Sequence, residues 1–149
     1  MNKKQQLYNK CQEVLNNRLE VIQNTIKDIQ NALHSETKSS AGDKHETGRA
    51  MLQLEREKAG NQLPEIQKSQ EILQKIDPDT AHQKVALGSI VYTSNLNYFI
   101  GISAGEIIVN SGKFYAISPS TPIARLLLSK MVGEQIQFRN STFTIIKIE

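Results

Sequence analysis

Two carboxylates, Asp43 and Glu46, stand three residues apart in a stretch of small, turn-forming residues, SSAGDKHETG at 39–48. Residues three apart at the start of a helix lie on the same face, so both carboxylates can point in one direction. Magnesium is commonly held by one or two carboxylates together with water and phosphate oxygens. Two acids alone are too few for tight binding, so a metal role requires a second macromolecule that supplies the remaining ligands. The alternative is a solvated turn, because exposed carboxylates usually serve only solubility.

The other residues that could carry chemistry lack the spacing of a self-contained active site. The histidines His34, His45 and His82 show no ligand spacing with one another or with Cys11, and a structural zinc site needs four ligands. The sequence contains no glycine-rich phosphate loop and no nucleophile elbow. Cys11 is the single cysteine, so we expect a small packing residue and no internal disulfide. We therefore do not expect the protein to be an enzyme by itself.

Bulk composition narrows the class of protein further. The 149 residues carry 18 Lys and Arg against 15 Asp and Glu, a formal charge of +3 that is too small to indicate nucleic-acid binding. The first lysines are not followed by the apolar run of a secretory signal. No segment reaches the roughly 18 apolar residues of a membrane span. We expect a cytoplasmic protein with no membrane partner and no small-molecule substrate.

The first half of the chain predicts two long helices. Aliphatic residues recur at steps of four and three at Leu15, Leu19, Ile22, Ile26, Ile29 and Leu33. They predict a helix from about 4 to 34, which would be roughly 45 Å long at 1.5 Å per residue. A second series, every seven residues, predicts a helix at about 47–77: Leu52, Ala59, Ile66 and Leu73. Equal lengths favour an antiparallel coiled-coil hairpin over 1–77 with its tip at 35–48. Gly60 and Pro64 predict a kink or short break in the second helix.

After a linker at 78–84, residues 85–149 predict a small α+β domain. Short β-branched and aromatic segments separated by Gly, Ser and Asn predict strands: SIVYT, NYFIGIS, EIIVN, KFYAIS, QIQF and FTIIKI. A hairpin turn is predicted at 110–112. The segment STPIARLLLSK predicts a short helix that Ser120 or Thr121 caps and Pro122 opens. The expected architecture is an antiparallel sheet with one helix packed on it.

The order of these parts, together with two motifs, resembles the bacterial Gre transcript-cleavage factors of the GreA and GreB type. The tip is similar to the family's pattern of Gly-Asp, two residues, then Glu, at Gly42, Asp43 and Glu46. The segment ISPSTPIARLLLSKMVGEQIQF, residues 117–138, is similar to the family's C-terminal signature and is the more specific motif because it is longer. The matching positions are Pro122, Ile123, Ala124, Arg125, Leu127, Leu128, Gly133 and Glu134.

The resemblance implies a transcription elongation factor that binds RNA polymerase and inserts its hairpin through the secondary channel. There Asp43 and Glu46 would help to hold a second Mg²⁺ shared with the polymerase, so that a backtracked transcript is hydrolysed beside the nascent RNA and DNA. The polymerase performs this cleavage and the factor stimulates it, with no cofactor bound to the factor alone. Residues 85–149 would form an FKBP-like domain that docks on the polymerase. The implied docking residues are Pro122, Ile123, Ala124, Arg125, Leu127 and Leu128.

Two other interpretations remain open. Family members usually have Leu after the tip Asp and Asn after the tip Glu, where this chain has Lys44 and Thr47. These differences favour a Gre-fold regulator that occupies the channel without stimulating cleavage. The second alternative is a general coiled-coil adaptor with an inert tip. The match at 117–138 argues against an adaptor, which would not need that segment.

Overall fold

The computed structural model describes residues 2–38 and 43–149, and the side chains of residues 36–46 lie outside the described part. The chain divides into two compact units, a helical unit (Leu15–Ser69) and a sheet unit (Met1–Val14 with Gln70–Glu149). In chain order the elements are α1 (Lys3–Lys38), α2 (Asp43–Gly60), α3 (Leu63–Gln74), β1 (Ile90–Thr93), β2 (Tyr98–Ile100), β3 (Gly105–Val109), β4 (Gly112–Ile117), α4 (Pro122–Leu127), β5 (Gln135–Phe138) and β6 (Ser141–Ile148).

In the helical unit, burial follows the aliphatic spacing of the sequence. The buried apolar residues are Leu15, Ile22, Ile29, Ala59 and Ile66. The alternate positions of the first series are half-buried: Leu19, Ile26 and Leu33. Each helix therefore shields one apolar stripe, as an amphipathic helix must. Along the described chain, no helix is both long enough and apolar enough to cross a membrane.

The predicted interruption of the second helix is confirmed, because α2 ends at Gly60 and α3 begins at Leu63. Pro64 takes the second position of α3, where its missing N–H would have no intrahelical partner anyway. The helix ends on either side of residues 39–42 differ from the prediction. The first helix continues to Lys38 instead of 34, and the second starts at Asp43 instead of 47. Apolar spacing cannot locate these ends, since the added turns are almost entirely polar.

The sheet unit contains six strands in the order β3-β4-β2-β1-β6-β5. Within the described chain, four of the five strand pairings are antiparallel. The exception is β2 with β4, which pair in parallel from Tyr98 opposite Tyr115 to Ile100 opposite Ile117. The predicted antiparallel domain is therefore corrected to a mixed sheet. In the sheet, β4 lies between β3 and β2. Because β3 runs opposite to β2 and β4 runs opposite to β3, β4 runs in the same direction as β2.

Local features of the sheet unit agree with the sequence. Each of the six predicted segments overlaps a strand. The β3–β4 hairpin turns at Asn110 and Ser111, whose φ angles of 50° and 66° are those of a type I′ turn. Thr121 caps α4, and Pro122 is its first residue, as predicted. The turn and cap chemistry of these residues therefore fixes the local structure.

One continuous core lies between α4 and the sheet. Its buried residues come from α4, four of the strands and the segment before β1: Val85, Val91, Tyr98, Ile100, Ala124, Leu127, Ile136, Phe143 and Ile145. Ala124 and Leu127 of α4 are both 0 % exposed. Because α4 is the helix that covers this part of the sheet, its inner face is committed to packing.

Gly88 is predicted to be intolerant of a side chain. Its φ of +88° is disfavoured for other residues, and a Cβ there would lie 2.9 Å from Cγ2 of Ile76. We expect Gly88→Ala to lower the free energy of unfolding by about 2–4 kcal/mol, combining backbone strain with overpacking. Urea denaturation measures this loss. Gly105→Ala is the matched control, because Gly105 has a φ of +74° but no atom within 4 Å of the added Cβ. Equal losses in the two variants would contradict the role of Ile76.

Candidate functional site

The first candidate site is the acidic motif at 42–46, which includes the first residues of α2. Gly42 lies outside the described residues, whereas Asp43 and Glu46 are the first and fourth residues of α2. The backbone thus gives the two acids the i, i+3 relation expected from the sequence. Their side chains lie outside the described part, so the metal-positioning role stays a prediction. Among the described side chains, no three His, Cys, Asp or Glu groups lie together as metal ligands.

The second candidate site is α4 with the turns that hold it. Oγ1 of Thr121 accepts a hydrogen bond from the N–H of Ala124 at 3.4 Å and donates one to the carbonyl of Ser118 at 2.8 Å. The helix ends at Leu127, and Leu128 caps it with an N–H that donates to the carbonyl of Ala124 at 2.9 Å. Ser129 then turns the chain with a φ of 70°, and its N–H donates to the carbonyl of Val85 at 2.8 Å. Both ends of this short helix are therefore fixed.

Burial divides the six predicted docking residues into three groups. Ala124 and Leu127 are fully buried and face the core. Ile123 and Leu128 are half-buried and pack against the same core. Pro122 and Arg125 are exposed. Only the exposed residues of α4 are therefore available for contact with a partner.

Leu126 is not among the predicted docking residues, yet it is 40 % exposed. On a helix, position 126 lies away from the buried face that 124 and 127 define, so helical periodicity could have identified it. Leu126 adds an apolar side chain to the exposed Pro122 and Arg125. We call these three residues the α4 outer face.

The Gly-acid pair of the 117–138 motif, Gly133 and Glu134, stabilises a turn. Gly133 has a φ of +92°, and its N–H donates to the carbonyl of Ile145 at 2.8 Å. Oε2 of Glu134 accepts a hydrogen bond from the N–H of Met131 at 2.5 Å. These contacts hold a tight turn before β5, which leaves the side chains of Met131 and Val132 47 % and 56 % exposed. The motif thus combines a fixed turn with exposed apolar side chains.

A group of ionic and aromatic side chains in the sheet unit has no signal in the sequence, because its members are far apart along the chain. The hydroxyl of Tyr92 donates to Oε2 of Glu149 at 3.0 Å, and Nζ of Lys147 lies 3.0 Å from Oε1. The ammonium groups of Lys3 and Lys147 lie 5.6 Å and 5.4 Å from the centroid of the Tyr92 ring. Burial, then the bond to Glu149, raises the pKa of Tyr92. Burial alone would raise the pKa of Glu149, but Lys147 and Tyr92 lower it overall.

Comparison with known proteins finds no matching family model and no matching curated protein. Among solved structures, the chain is similar to that of GreA factor homolog 1 (Gfh1) protein of Thermus thermophilus. The two are 18% identical over 95% of this chain and 94% of the other, with a TM-score of 0.35. A second structure, of the transcription factor Gfh1, is 17% identical over 95% of this chain and 92% of the other, with a TM-score of 0.34. Both matches extend over nearly the whole length of each chain.

Proposed function

We propose that this protein is a transcription elongation factor that binds bacterial RNA polymerase and stimulates cleavage of backtracked transcripts. The observation that carries the proposal is the occurrence, in one chain, of the acidic tip motif at 42–46 and the signature at 117–138. Each motif alone permits a simpler explanation, a solvated turn or a packed helix. Their order and separation along the chain are those of a Gre factor, in which one part docks and the other acts.

The acting part is a helical hairpin formed by α1 on one side and by α2 with α3 on the other. The support is the stripe of buried residues in the helical unit, which lies on α1 at Leu15, Ile22 and Ile29 and on the later helices at Ala59 and Ile66. Spacings of seven residues on both sides are those of a two-helix coiled coil. In this proposal the hairpin enters the secondary channel and carries residues 43–46 to the active centre.

At the tip, Asp43 and Glu46 contribute negative charge at the first and fourth positions of α2. Two carboxylates on one helical face fit a shared magnesium ion, provided that the polymerase supplies the remaining ligands. When bound, the magnesium would supply an activated water and stabilise charge in the transition state. The protein is then not an enzyme by itself, since it stimulates the cleavage activity of the polymerase.

The docking part is the sheet unit, with the α4 outer face and the neighbouring Met131 and Val132 as its contact surface. Exposed apolar side chains next to a cation, here Arg125, are typical of protein–protein contacts. Polymerase is the proposed partner, with the nascent RNA and DNA of the elongation complex close to the tip. An FKBP-like identity of this unit, which the resemblance implies, belongs to the same proposal.

One observation favours a second candidate function. Lys44 lies between the two tip acids in the sequence, and its positive charge opposes the recruitment of a cation. A factor with such a tip would occupy the channel and regulate the polymerase without stimulating cleavage.

Transcript cleavage on a halted, backtracked polymerase complex tests the proposal, with a pull-down of polymerase by the full chain as the measure of binding. Shortened transcripts that appear only with the protein would support the cleavage factor. Binding without cleavage would replace it by the channel-occupying regulator. Absence of binding would leave the coiled-coil adaptor.

A further inference from the structure

Lys4 is a buried lysine that holds residues 80–82 against the first turn of α1, within the sheet unit. Its side chain is 6 % exposed, whereas lysines are almost never buried without a partner. Nζ donates a hydrogen bond to the carbonyl of Thr80 and lies 3.1 Å from Nδ1 of His82. Because the ammonium can only donate, Nδ1 must accept, and the imidazole proton is then on Nε2. The contact therefore requires a neutral His82.

Nearby acids do not remove this requirement. The charged groups around the contact are Lys3 on α1, Asp77 just before the linker, Asp79 within it, and Lys147 and Glu149 near the end of the sequence. Oδ1 of Asp79 accepts from Nε2 of Gln5 at 2.6 Å. The Glu149 carboxylate binds Lys147 and Tyr92, and only its main chain bonds His82. Asp77 and Glu149 act on the charge of Lys4, whereas the charge that acts on the His82 ring is that of Lys4, so a proton on His82 would face this cation.

Protons can reach this contact from solvent. His82 is half-buried, and Lys4 lines a cleft of about 470 Å³ together with Pro78 and Thr80. Burial lowers the pKa of His82 from its ordinary 6.5, the charge of Lys4 lowers it further, and the Glu149 main chain opposes both. The unfolded chain thus binds the proton at higher pH than the folded chain does. The contribution of the contact to stability is complete above pH 6.5 and is lost as the pH falls toward the folded pKa.

We propose that Lys4 and His82 form a pH-sensitive clamp, which holds linker residues 80–82 on the first turn of α1 at neutral pH and releases them when His82 is protonated. Protonation converts a donor–acceptor pair into two cations at 3.1 Å. Lys4 cannot move away freely, because its ammonium also binds the Thr80 carbonyl. The linker then separates from α1. This proposal does not depend on the function proposed above.

The clamp is tested by NMR on the full chain, titrated from about pH 8 to about pH 5, the range in which histidine changes charge. We expect the His82 imidazole to titrate with a midpoint below its ordinary 6.5. The amide of Thr80, which donates to the carbonyl of Asp77 at 3.1 Å, reports opening. Its protection factor, corrected for the intrinsic exchange rate, should fall about tenfold or more as His82 is protonated, because a hydrogen bond made by a charged group is then lost.

Three variants separate the clamp from general acid sensitivity. His82→Asn keeps an acceptor, Oδ1, at the position of Nδ1 that cannot be protonated, so the protection of Thr80 should become independent of pH in this range. Lys4→Met removes the cation and should move the His82 midpoint upward toward 6.5. His34→Asn is the matched control, because His34 is an exposed histidine in the helical unit. It should behave as the parent does.

Two results would overturn the clamp. One is a His82 midpoint at or above 6.5 in the parent protein. The other is a pH-dependent loss of Thr80 protection that persists in His82→Asn. Both are measured without Lys4→Met, so the test holds even if that variant folds poorly.

Discussion

Replacing Asp43 with Asn and Glu46 with Gln should lower stimulated transcript cleavage by a factor on the order of one hundred or more. The replacements keep size and polarity but remove the negative charge that attracts a second magnesium ion. Loss of charge stabilisation in a transition state typically has an effect of this size. Binding to polymerase and thermal stability should stay nearly unchanged, because the sequence predicts an exposed tip, and substitutions at exposed positions usually shift stability by about 0.5 kcal/mol or less. The cleavage rate at saturating protein is the measurement.

Two further variants make this test specific to the tip. Asp28→Asn is the matched control, since Asp28 is an exposed acid on α1 and the same chemical change there should not affect cleavage. Lys44→Leu removes the cation between the tip acids and should raise cleavage. If the double variant stimulates cleavage as well as the parent does, the tip is not the catalytic element. If neither protein stimulates cleavage but both bind, the channel-occupying regulator is correct.

The sequence predicts the helices and strands well because those features depend on local patterns. Apolar spacing identified the stripes of α1 and of the later helices, and the residue types at 110–112 and 121–122 identified a turn and a cap. The parallel pairing of β2 with β4 could not be predicted in this way. Strand patterns report which residues form a strand, whereas pairing depends on the order of strands in the finished sheet.

A change in amino-acid composition along the chain does not show which residues pack together. The composition changes near residue 84, but the sheet unit also includes residues 1–14 and 70–84. Leu7 is fully buried in that unit, and Ile76 packs close to Gly88 and Gly101. The contact between Lys4 and Thr80 spans 76 positions. No local pattern marks a lysine as buried, because its partners lie far away in the sequence.

For the candidate sites, the sequence found the segments but not the orientation of their side chains. The motif at 117–138 correctly locates a capped helix, yet it combines core residues with surface residues. Helical phase separates these two groups once the helix bounds are known. At the tip, the roles of Asp43 and Glu46 depend on atoms that a partner must supply, so the chain alone does not determine them.

Leu126 and Leu127 are adjacent residues of α4 that should respond to the same substitution in different ways. Leu127 is 0 % exposed, and we expect Leu127→Ala to lower the free energy of unfolding by about 2–5 kcal/mol, the range for truncating a buried leucine. Leu126 is 40 % exposed, so Leu126→Ala should change stability by only about 0.5 kcal/mol. Urea denaturation of both variants measures the difference. Equal destabilisation would mean that the α4 outer face is part of the packed core.

Polymerase binding should depend on the α4 outer face. Substitutions on this face should therefore weaken binding without unfolding the protein, whereas a substitution at the buried Leu127 should do the reverse. Leu126→Ala combined with Arg125→Ala should weaken binding about tenfold or more, because arginine is among the residues that most often carry the energy of an interface and the loss of Leu126 removes apolar contact area beside it. Leu127→Ala, measured where it is still folded, should bind nearly as the parent does, since its side chain cannot reach a partner. Affinity for polymerase measured on the full-length variants decides between these outcomes. If the double variant is stable and binds as tightly as the parent, the polymerase docks elsewhere on the protein.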